Sequence, residues 1–346
     1  MTEIQGDYYI DDAKGNRVDL DDENSPYILN ENDILVSLTG NVGRVSKMTR
    51  ANAVLNQRVG RVKINDINKV EHDFLFNILK SAQFEESMKN ASQGAAQANI
   101  SNKDILSFVI KYPNLSEQQS IGSFFSTLDH LITLQQRELD YLKATKKTML
   151  SKLFPKKSET IPGVRFDGFT NVWEQRKVRE LFTITRGQVL AADKIVDTPS
   201  QIMKYPVYSS QTKNNGLMGY YSNYLFESAI TWTTDGANAG TVNYREGKFF
   251  STNVNGVLLS EEGLANYALA EIINKEAWKW VSHVGNPKLM NNVMADIEIN
   301  VSLNFDELSL ISKMISTLDH LITLQQRKVD LLKSQKQTLL KSMFPR

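Results

Sequence analysis

Two stretches of the chain carry apolar residues at a 3.5-residue spacing, and they are one stretch written twice. In the first, Phe125, Leu128, Ile132, Leu139, Leu142, Met149 and Leu153 form the stripe. In the second, Ile315, Leu318, Ile322, Val329, Leu332, Leu339 and Met343 occupy equivalent positions. Residues 126–137 recur identically at 316–327, and the match continues at the same 190-residue offset to Phe154-Pro155 and Phe344-Pro345. Gln135 and Lys146 interrupt one stripe where Gln325 and Lys336 interrupt the other. The spacing predicts two long amphipathic helices with a coiled-coil seam whose polar layers fix register. Ser116-Glu117 supplies a start, and Pro155 and Pro345 supply stops. A helix from Glu117 to Phe154 would be roughly 55 Å long at about 1.5 Å per residue, poorly suited to a compact core. Its natural partner is the other copy, and a period this long marks a duplicated domain, not a solenoid.

Charge adds an orientation. The chain of 346 residues sums to +1, which by itself argues against a nucleic-acid partner. The sum hides blocks: residues 1–33 carry −8, 34–112 carry +5, 113–136 carry −2, 137–157 carry +5, 158–326 carry −4 and 327–346 carry +5. Parallel helices would set two +5 ends side by side. Antiparallel helices would set each beside the half holding Asp129 or Asp319, so Coulomb terms favour antiparallel, each exposed charge being worth little. Basic residues late in a helix also suit its dipole. The block at 34–112 is harder to dismiss, because Arg44, Lys47, Arg50, Arg58 and Arg61 fall close together. His130 and His320 sit at equivalent helix positions without a carboxylate or second histidine four residues away, which predicts a structural or surface role.

Before each helix lies a region rich in Tyr, Val, Thr, Asn and Gly with short alternating runs, predicting mixed β structure. Asp33–Val45 parallels Ile230–Val242, and Asn56 matches Asn253 at the same 197-residue offset. Short helices are predicted around Phe74–Leu79 and Tyr267–Ile273, followed by polar loops at 92–99 and 283–288. A polar, Pro/Gly-bearing linker, 156–163, separates the copies.

Here the residues resemble a known family, the specificity (S) subunits of type I restriction-modification systems. Val164–Val178 resembles the opening of one of their target-recognition domains. So do Glu117–Ile121, Tyr205–Gln211 and the Phe-Pro endings, and the resemblance covers essentially the whole chain. It implies an α+β fold: two mixed β-rich target-recognition domains joined and spaced by two long helices in an antiparallel coiled coil, a pseudo-two-fold internal repeat. The divisions are a first recognition domain at 1–112, a spacer helix and linker at 113–163, a second recognition domain at 164–304 and a C-terminal spacer helix at 305–346. Extrapolating the offset puts the counterpart of Val164 about 33 residues before Met1, so the first recognition domain is expected to be N-terminally shortened.

The resemblance further implies a non-catalytic subunit whose domains each read half of a bipartite double-stranded DNA target. The helices would act as spacer and ruler and dock modification (methyltransferase) subunits, two of them, through which restriction (motor-nuclease) subunits join. S-adenosylmethionine, ATP and Mg²⁺ would then belong to those partners and not to this chain. The alternative is an assembly scaffold, or a partial specificity subunit with one competent recognition domain.

The residues carry little other chemistry. None of the eight prolines adjoins another, so the Asp/Asn-Pro-Pro-Tyr/Phe motif of adenine methyltransferases is missing. No G-x-x-x-x-G-K-[ST] loop is present. With no cysteine there is neither disulfide nor thiol chemistry. The start of the sequence shows no signal peptide and no apolar run would span a bilayer, so the expected compartment is the cytoplasm. Asp235 followed by Glu246-Gly247-Lys248 mimics a metal-dependent nuclease core. The preferred reading of Arg245–Lys248 is a hairpin turn, because the aligned Val45–Arg50 lacks the glutamate. No metal site is expected.

What remains is a surface suited to DNA. Arg, Lys, Asn and Gln can contact base edges, while Lys, Ser and Thr hold phosphates. The candidates in the second copy are Ser209, Ser210, Gln211, Thr212, Lys213, Asn214 and Asn215, then Asn238, Arg245, Asn253 and Lys288. In the first copy they are Asn41, Arg44, Lys47, Gln57, Arg58, Gln93 and Gln97.

Overall fold

The computed structural model describes residues 4, 6, 8–10, 25–49, 53–92, 98–156, 159–210 and 213–344. The first copy opens with β1 (Ile28–Leu29), β2 (Ile34–Ser37), β3 (Val45–Lys47), β4 (Ala53–Val54) and β5 (Val59–Val62). Helices α1 (His72–Leu79), α2 (Ala82–Ala91) and α3 (Asn102–Leu106) follow, then the long helix α4 (Leu115–Leu153). The second copy runs β6 (Glu174–Lys177), α5 (Val178–Leu181), β7 (Thr183–Arg186), β8 (Tyr205–Tyr208), β9 (Leu217–Tyr221), β10 (Phe226–Thr233), β11 (Val242–Ser251) and β12 (Asn255–Leu259). It closes with α6 (Tyr267–Ala277), α7 (Asn291–Asp296), β13 (Glu298–Val301) and the long helix α8 (Phe305–Met343). The chain forms two compact units, residues 1–139 with 325–346, and residues 140–324. The division runs through both long helices, so each unit holds a recognition segment and a piece of each helix.

One three-stranded core is built in both units. In the first, β2 pairs antiparallel with β3 and β5, giving the order β3-β2-β5. In the second, β10 pairs antiparallel with β11 and β12 inside a six-stranded sheet of order β7-β12-β10-β11-β8-β9, where only β11 and β8 run parallel. The turn joining the first two strands repeats bond for bond. Arg44 N donates to Asn41 O as Thr241 N donates to Asn238 O, at 3.3 and 3.1 Å. The later polar loop is tied to that turn in both units. Gly40 N donates to Ala98 O and Gly236 N to Pro287 O, at 3.1 and 2.9 Å. Gly43 and Gly240 close the turns at φ +76° and +84°, a region that side chains with a Cβ rarely adopt.

Period-two alternation sorts the second sheet into two faces. Ile230, Trp232 and Leu258 join Leu269, Ile272 and Ile273 of α6 in the main core, and the Trp232 indole Nε1 donates to Leu289 O at 3.1 Å. The opposite face carries Ala229, Phe249 and Val257 as a small second cluster, with Thr231, Thr233, Asn243 and Arg245 beside it. In the first unit, α1 buries all of Phe74–Leu79 behind the cap that Glu71 makes on Phe74 N, packing with Ile34, Val36 and Val45.

The long helices are 39 residues each. In the first unit Asp129 pairs with Lys336, and Gln325 Nε2 donates to Gln135 Oε1 at 2.9 Å, so α8 runs antiparallel to α4. In the second unit Lys146 reaches Asp319 at 2.8 Å and Glu271 at 2.7 Å, while Leu153 shares a core with Leu308, Ile311 and Ile315. The helices are antiparallel there too. Phe125, Leu139, Leu153, Ile315 and Val329 are buried, and Leu128, Ile132, Leu142, Met149, Leu318, Ile322, Leu332 and Leu339 are half-buried. Met343 departs from the stripe at 40% exposure. Leu340 is buried in its stead, and the Phe344 ring sits 5.7 Å from Phe74 and 6.2 Å from Phe125, centroid to centroid. Its repeat mate Phe154 packs on Trp173 in the second unit. His130 and His320 are exposed.

The two charge pairs are chemically alike but differently placed. Asp129 and Lys336 are 6% and 8% exposed, and burial holds the Lys336 ammonium below the usual lysine range despite Asp129. Asp319 is 40% exposed, and Lys146 keeps Glu271 as a second partner; burial opposes its charge, yet the two carboxylates raise it above the usual range. Removing one partner of a buried pair strands the other charge, at about 3–5 kcal/mol, while an exposed pair is worth about 1 kcal/mol or less. Asp129→Asn should therefore cost about 3 kcal/mol in denaturant unfolding and Asp319→Asn under about 1 kcal/mol. Equal costs would show that the pseudo-symmetric pairs are not distinguished by burial.

Candidate nucleic-acid interface

In the second unit the turn between β10 and β11 gathers most of the candidates. Tyr208 ends β8, and the loop after it returns to β9 through Asn214 and Asn215, both left-handed at φ +49° and +51°, a conformation asparagine tolerates. Asn238 Nδ2 donates to Ser210 O at 2.9 Å and clamps this loop to the turn. Ser209, Ser210, Asn215, Asn238 and Arg245 line one cavity with Thr231, Thr233, Thr241, Asn243 and Asn255. Asn214 and Asn215 are exposed. Gln211, Thr212 and the Lys213 side chain lie outside the described residues.

Arg245 is not the free reader that its position in a turn would have made it. Arg245–Lys248 is not a hairpin turn but part of β11, with a register shift opposite Glu227 and Ala229 where Gly247, at φ +66°, donates to Ser228 Oγ. The hairpin turn is at 234–241 instead. Arg245 is 6% exposed, its Nε donates to Thr231 Oγ1 at 3.1 Å, and its guanidinium lies 3.9 Å over the Tyr208 ring. Burial lowers its pKa to about 10, with Tyr208 opposing.

Asn253 and Lys288 belong to a second network at the same turn. Arg186 Nε donates to Asn253 O at 2.9 Å, and Arg186 Nη2 and Lys288 Nζ lie 3.5 and 3.7 Å from Asp235. Thr234 Oγ1 donates to Asp235 at 2.7 Å. Asp235 is thus a carboxylate satisfied by two cations and a hydroxyl. Among the described residues no group of three or more His, Asp or Glu side chains could hold a metal ion. Sequence reading passed over Arg186, Thr231, Thr233 and Asn243. Their signal was the alternation itself: Thr231-x-Thr233 and Asn243-x-Arg245 put polar side chains on one face of paired strands, in register Thr231↔Asn243.

In the first unit Asn41 and Arg44 sit on the equivalent turn, half-buried, with Arg44 Nε 3.7 Å from Glu85. Gln57 and Arg58 are exposed at the turn into β5, and Leu38 N donates to Arg58 O at 2.9 Å, bringing the two turns together. Gln93 and Gln97 lie outside the described residues. Lys47 must be withdrawn as a DNA contact. Its side chain is 3% exposed and donates to Asp73 at 2.6 Å and to the Tyr8 hydroxyl at 3.0 Å. It is a core cation because β3 turns that side chain inward toward α1. Arg61 is likewise committed, to Asp33, Ile28 O and Pro26 O.

A polar turn built twice on the same core has counterparts among known proteins. The chain matches the model of the type I restriction modification DNA specificity domain twice, over residues 7–144 and 171–334, and belongs to that family. A putative type I specificity subunit N-terminus from Mycoplasma pneumoniae is 37% identical over 146 residues, 41% of this chain and 74% of that protein. Another putative type I specificity subunit of that organism is 35% identical over 165 residues, 46% of this chain but only 43% of the relative. The solved S subunit of a type I restriction-modification system from M. genitalium superposes with a TM-score of 0.75 at 18% identity, covering 99% of this chain and 90% of that one, a likeness of fold.

The Lys47–Asp73 pair has a measurable consequence. His72 Nδ1, 2.9 Å away, and the Lys47 ammonium hold the Asp73 carboxyl well below the usual carboxylate range. A carboxylate with a depressed folded-state pKa contributes stability that is present above about pH 3.9 and is lost as pH falls toward its folded value. Asp73→Asn should lower stability at pH 7 and flatten its decline below about pH 4 in denaturant titrations. A decline as steep as the parent's would place the acid-sensitive group elsewhere.

Proposed function

We propose that the chain is the DNA sequence-recognition subunit of a type I restriction-modification complex, non-catalytic itself and assembling with the other subunits on DNA. One observation supports this beyond family membership. The same strand-turn-strand core is built twice, and each time its turn carries an asparagine, Asn41 or Asn238, and is tied by a backbone hydrogen bond to a later polar segment, Gly40 N to Ala98 O and Gly236 N to Pro287 O. Residues 1–112 and 164–304 are the two readers, each for one half of a bipartite duplex target. Residues 113–163 and 305–346 carry the spacer helices that set the gap.

The helices have a further face. Leu131, Leu134 and Leu331 are exposed in the first unit, and Tyr141, Leu321 and Leu324 in the second. Leu131, Leu134 and Tyr141 are the repeat mates of Leu321, Leu324 and Leu331 at the 190-residue offset. Apolar residues kept exposed in both copies suit docking of two like partners, which we assign to modification subunits, with restriction subunits joining through them. S-adenosylmethionine, ATP and Mg²⁺ belong to those partners on this reading, and the compartment is the cytoplasm. No helix among the described residues is long and apolar enough to cross a membrane.

The exposed tip of the 209–216 loop makes the reading testable. With modification subunits present, Asn214→Ala combined with Asn215→Ala should reduce preference for the cognate duplex over a scrambled one by roughly 5- to 100-fold in gel shifts, since a good base contact is worth about 1–3 kcal/mol. Undiminished preference together with intact subunit assembly would favour a scaffold over a reader at this loop.

A further inference from the structure

The polar face of the second sheet buries a guanidinium that meets no counter-ion among the described residues. Arg245 is 6% exposed and makes no ion pair among the described residues. Its Nε donates to Thr231 Oγ1 and its guanidinium lies over the Tyr208 ring, two neutral neighbours. Desolvating an unpaired charge is strongly unfavourable, so a fold that keeps one in a cavity has a reason to find it a partner. The cavity beside it is about 140 Å³ and has no Asp or Glu in its lining. Its other walls are hydroxyls and carboxamides, including Ser209, Asn215, Thr241 and Asn243. Arg with Ser, Thr and Asn donors is the group set that proteins use on phosphate oxygens.

We propose that this cavity is a binding site for one phosphate-class oxyanion, with Arg245 as its fixed cation. The anion comes from one of two sources, a phosphodiester of bound DNA or free phosphate, and only the first rests on the DNA-recognition reading. A phosphodiester seated there would anchor the backbone beside the 209–216 loop and the β10–β11 turn. Arg245 would then fix the protein's register on the duplex without reading a base.

The test uses the full chain and two variants. Arg245→Gln removes the cation. Asn243→Asp keeps it but supplies a carboxylate two residues away on the same strand face, so the proposal stays testable if Arg245→Gln folds poorly. Thermal unfolding in inorganic phosphate is compared with chloride at equal ionic strength. The parent should gain about 2–4 °C in phosphate, and Asn243→Asp should gain nothing while melting higher in chloride. In the presence of modification subunits, the slope of log affinity for DNA against log salt should become shallower by about 0.9 in Asn243→Asp, because one phosphate fewer is neutralised. A changed slope assigns the site to the DNA backbone, and a phosphate response with unchanged slope assigns it to free phosphate. No phosphate response and no slope change overturns the proposal. Sequence-indifferent DNA binding by the parent would instead count against the recognition reading and leave the phosphate response to stand or fall alone.

Discussion

Two carboxylate–ammonium pairs, Asp129 with Lys336 and Lys146 with Asp319, govern how the duplicated helices can associate. The helices are near-copies, so pairing them parallel and in register would set Asp129 against Asp319 and Lys146 against Lys336. Like charges meeting in a partly dehydrated seam are strongly unfavourable. Antiparallel pairing turns the same four residues into two attractive pairs, one in each unit. An apolar stripe alone has no such preference, because leucine and isoleucine layers tolerate either direction. The polar interruptions thus act as specificity elements, giving up some seam burial for one orientation.

Everything else is arranged on that pairing. Each recognition segment packs on its own helix pieces through an aromatic plug, Phe344 against Phe74 and Phe125 in one unit and Phe154 against Trp173 in the other. Each plug is the residue before a proline in the sequence. Each unit also builds the same turn with the same hydrogen bonds. The copies have then diverged in chemistry. Where the first unit puts Lys47 and Arg61 into internal ion pairs with Asp73 and Asp33, the second leaves Arg245 in a cavity of neutral donors. Arginine suits that setting because its guanidinium stays charged even after desolvation and stacks on Tyr208.

The helices were the most legible part of the chain, because twelve identical residues repeated at one offset leave little room for another reading. Their direction was legible too, from block charges, although the ion pairs that enforce it are single residues and not blocks. The β segments were legible as a class and as an alignment of turns, since Gly43 and Gly240 mark where φ must be positive. What escaped was side-chain direction. Lys47 and Arg245 look like surface bases until strand pairing shows which way each points. Arg245–Lys248 reads as a turn because a glycine amid charged residues is the usual turn signal, yet a bulge uses the same glycine. Met343 fits the heptad arithmetic but falls past the last full layer, where Leu340 and Phe344 close the end.

In the proposed mechanism, one antiparallel helix pair holds two readers at a set spacing. Methylation mapping across the genome of a strain carrying this chain with its modification subunits tests that most directly, comparing the parent with a variant bearing four extra residues in α4. The expected result is an asymmetric bipartite adenine-methylation motif whose gap grows by one or two base pairs in the variant, because four residues add about 6 Å of helix against about 3.4 Å per base pair. A single uninterrupted motif, or a gap that ignores the insertion, would contradict it.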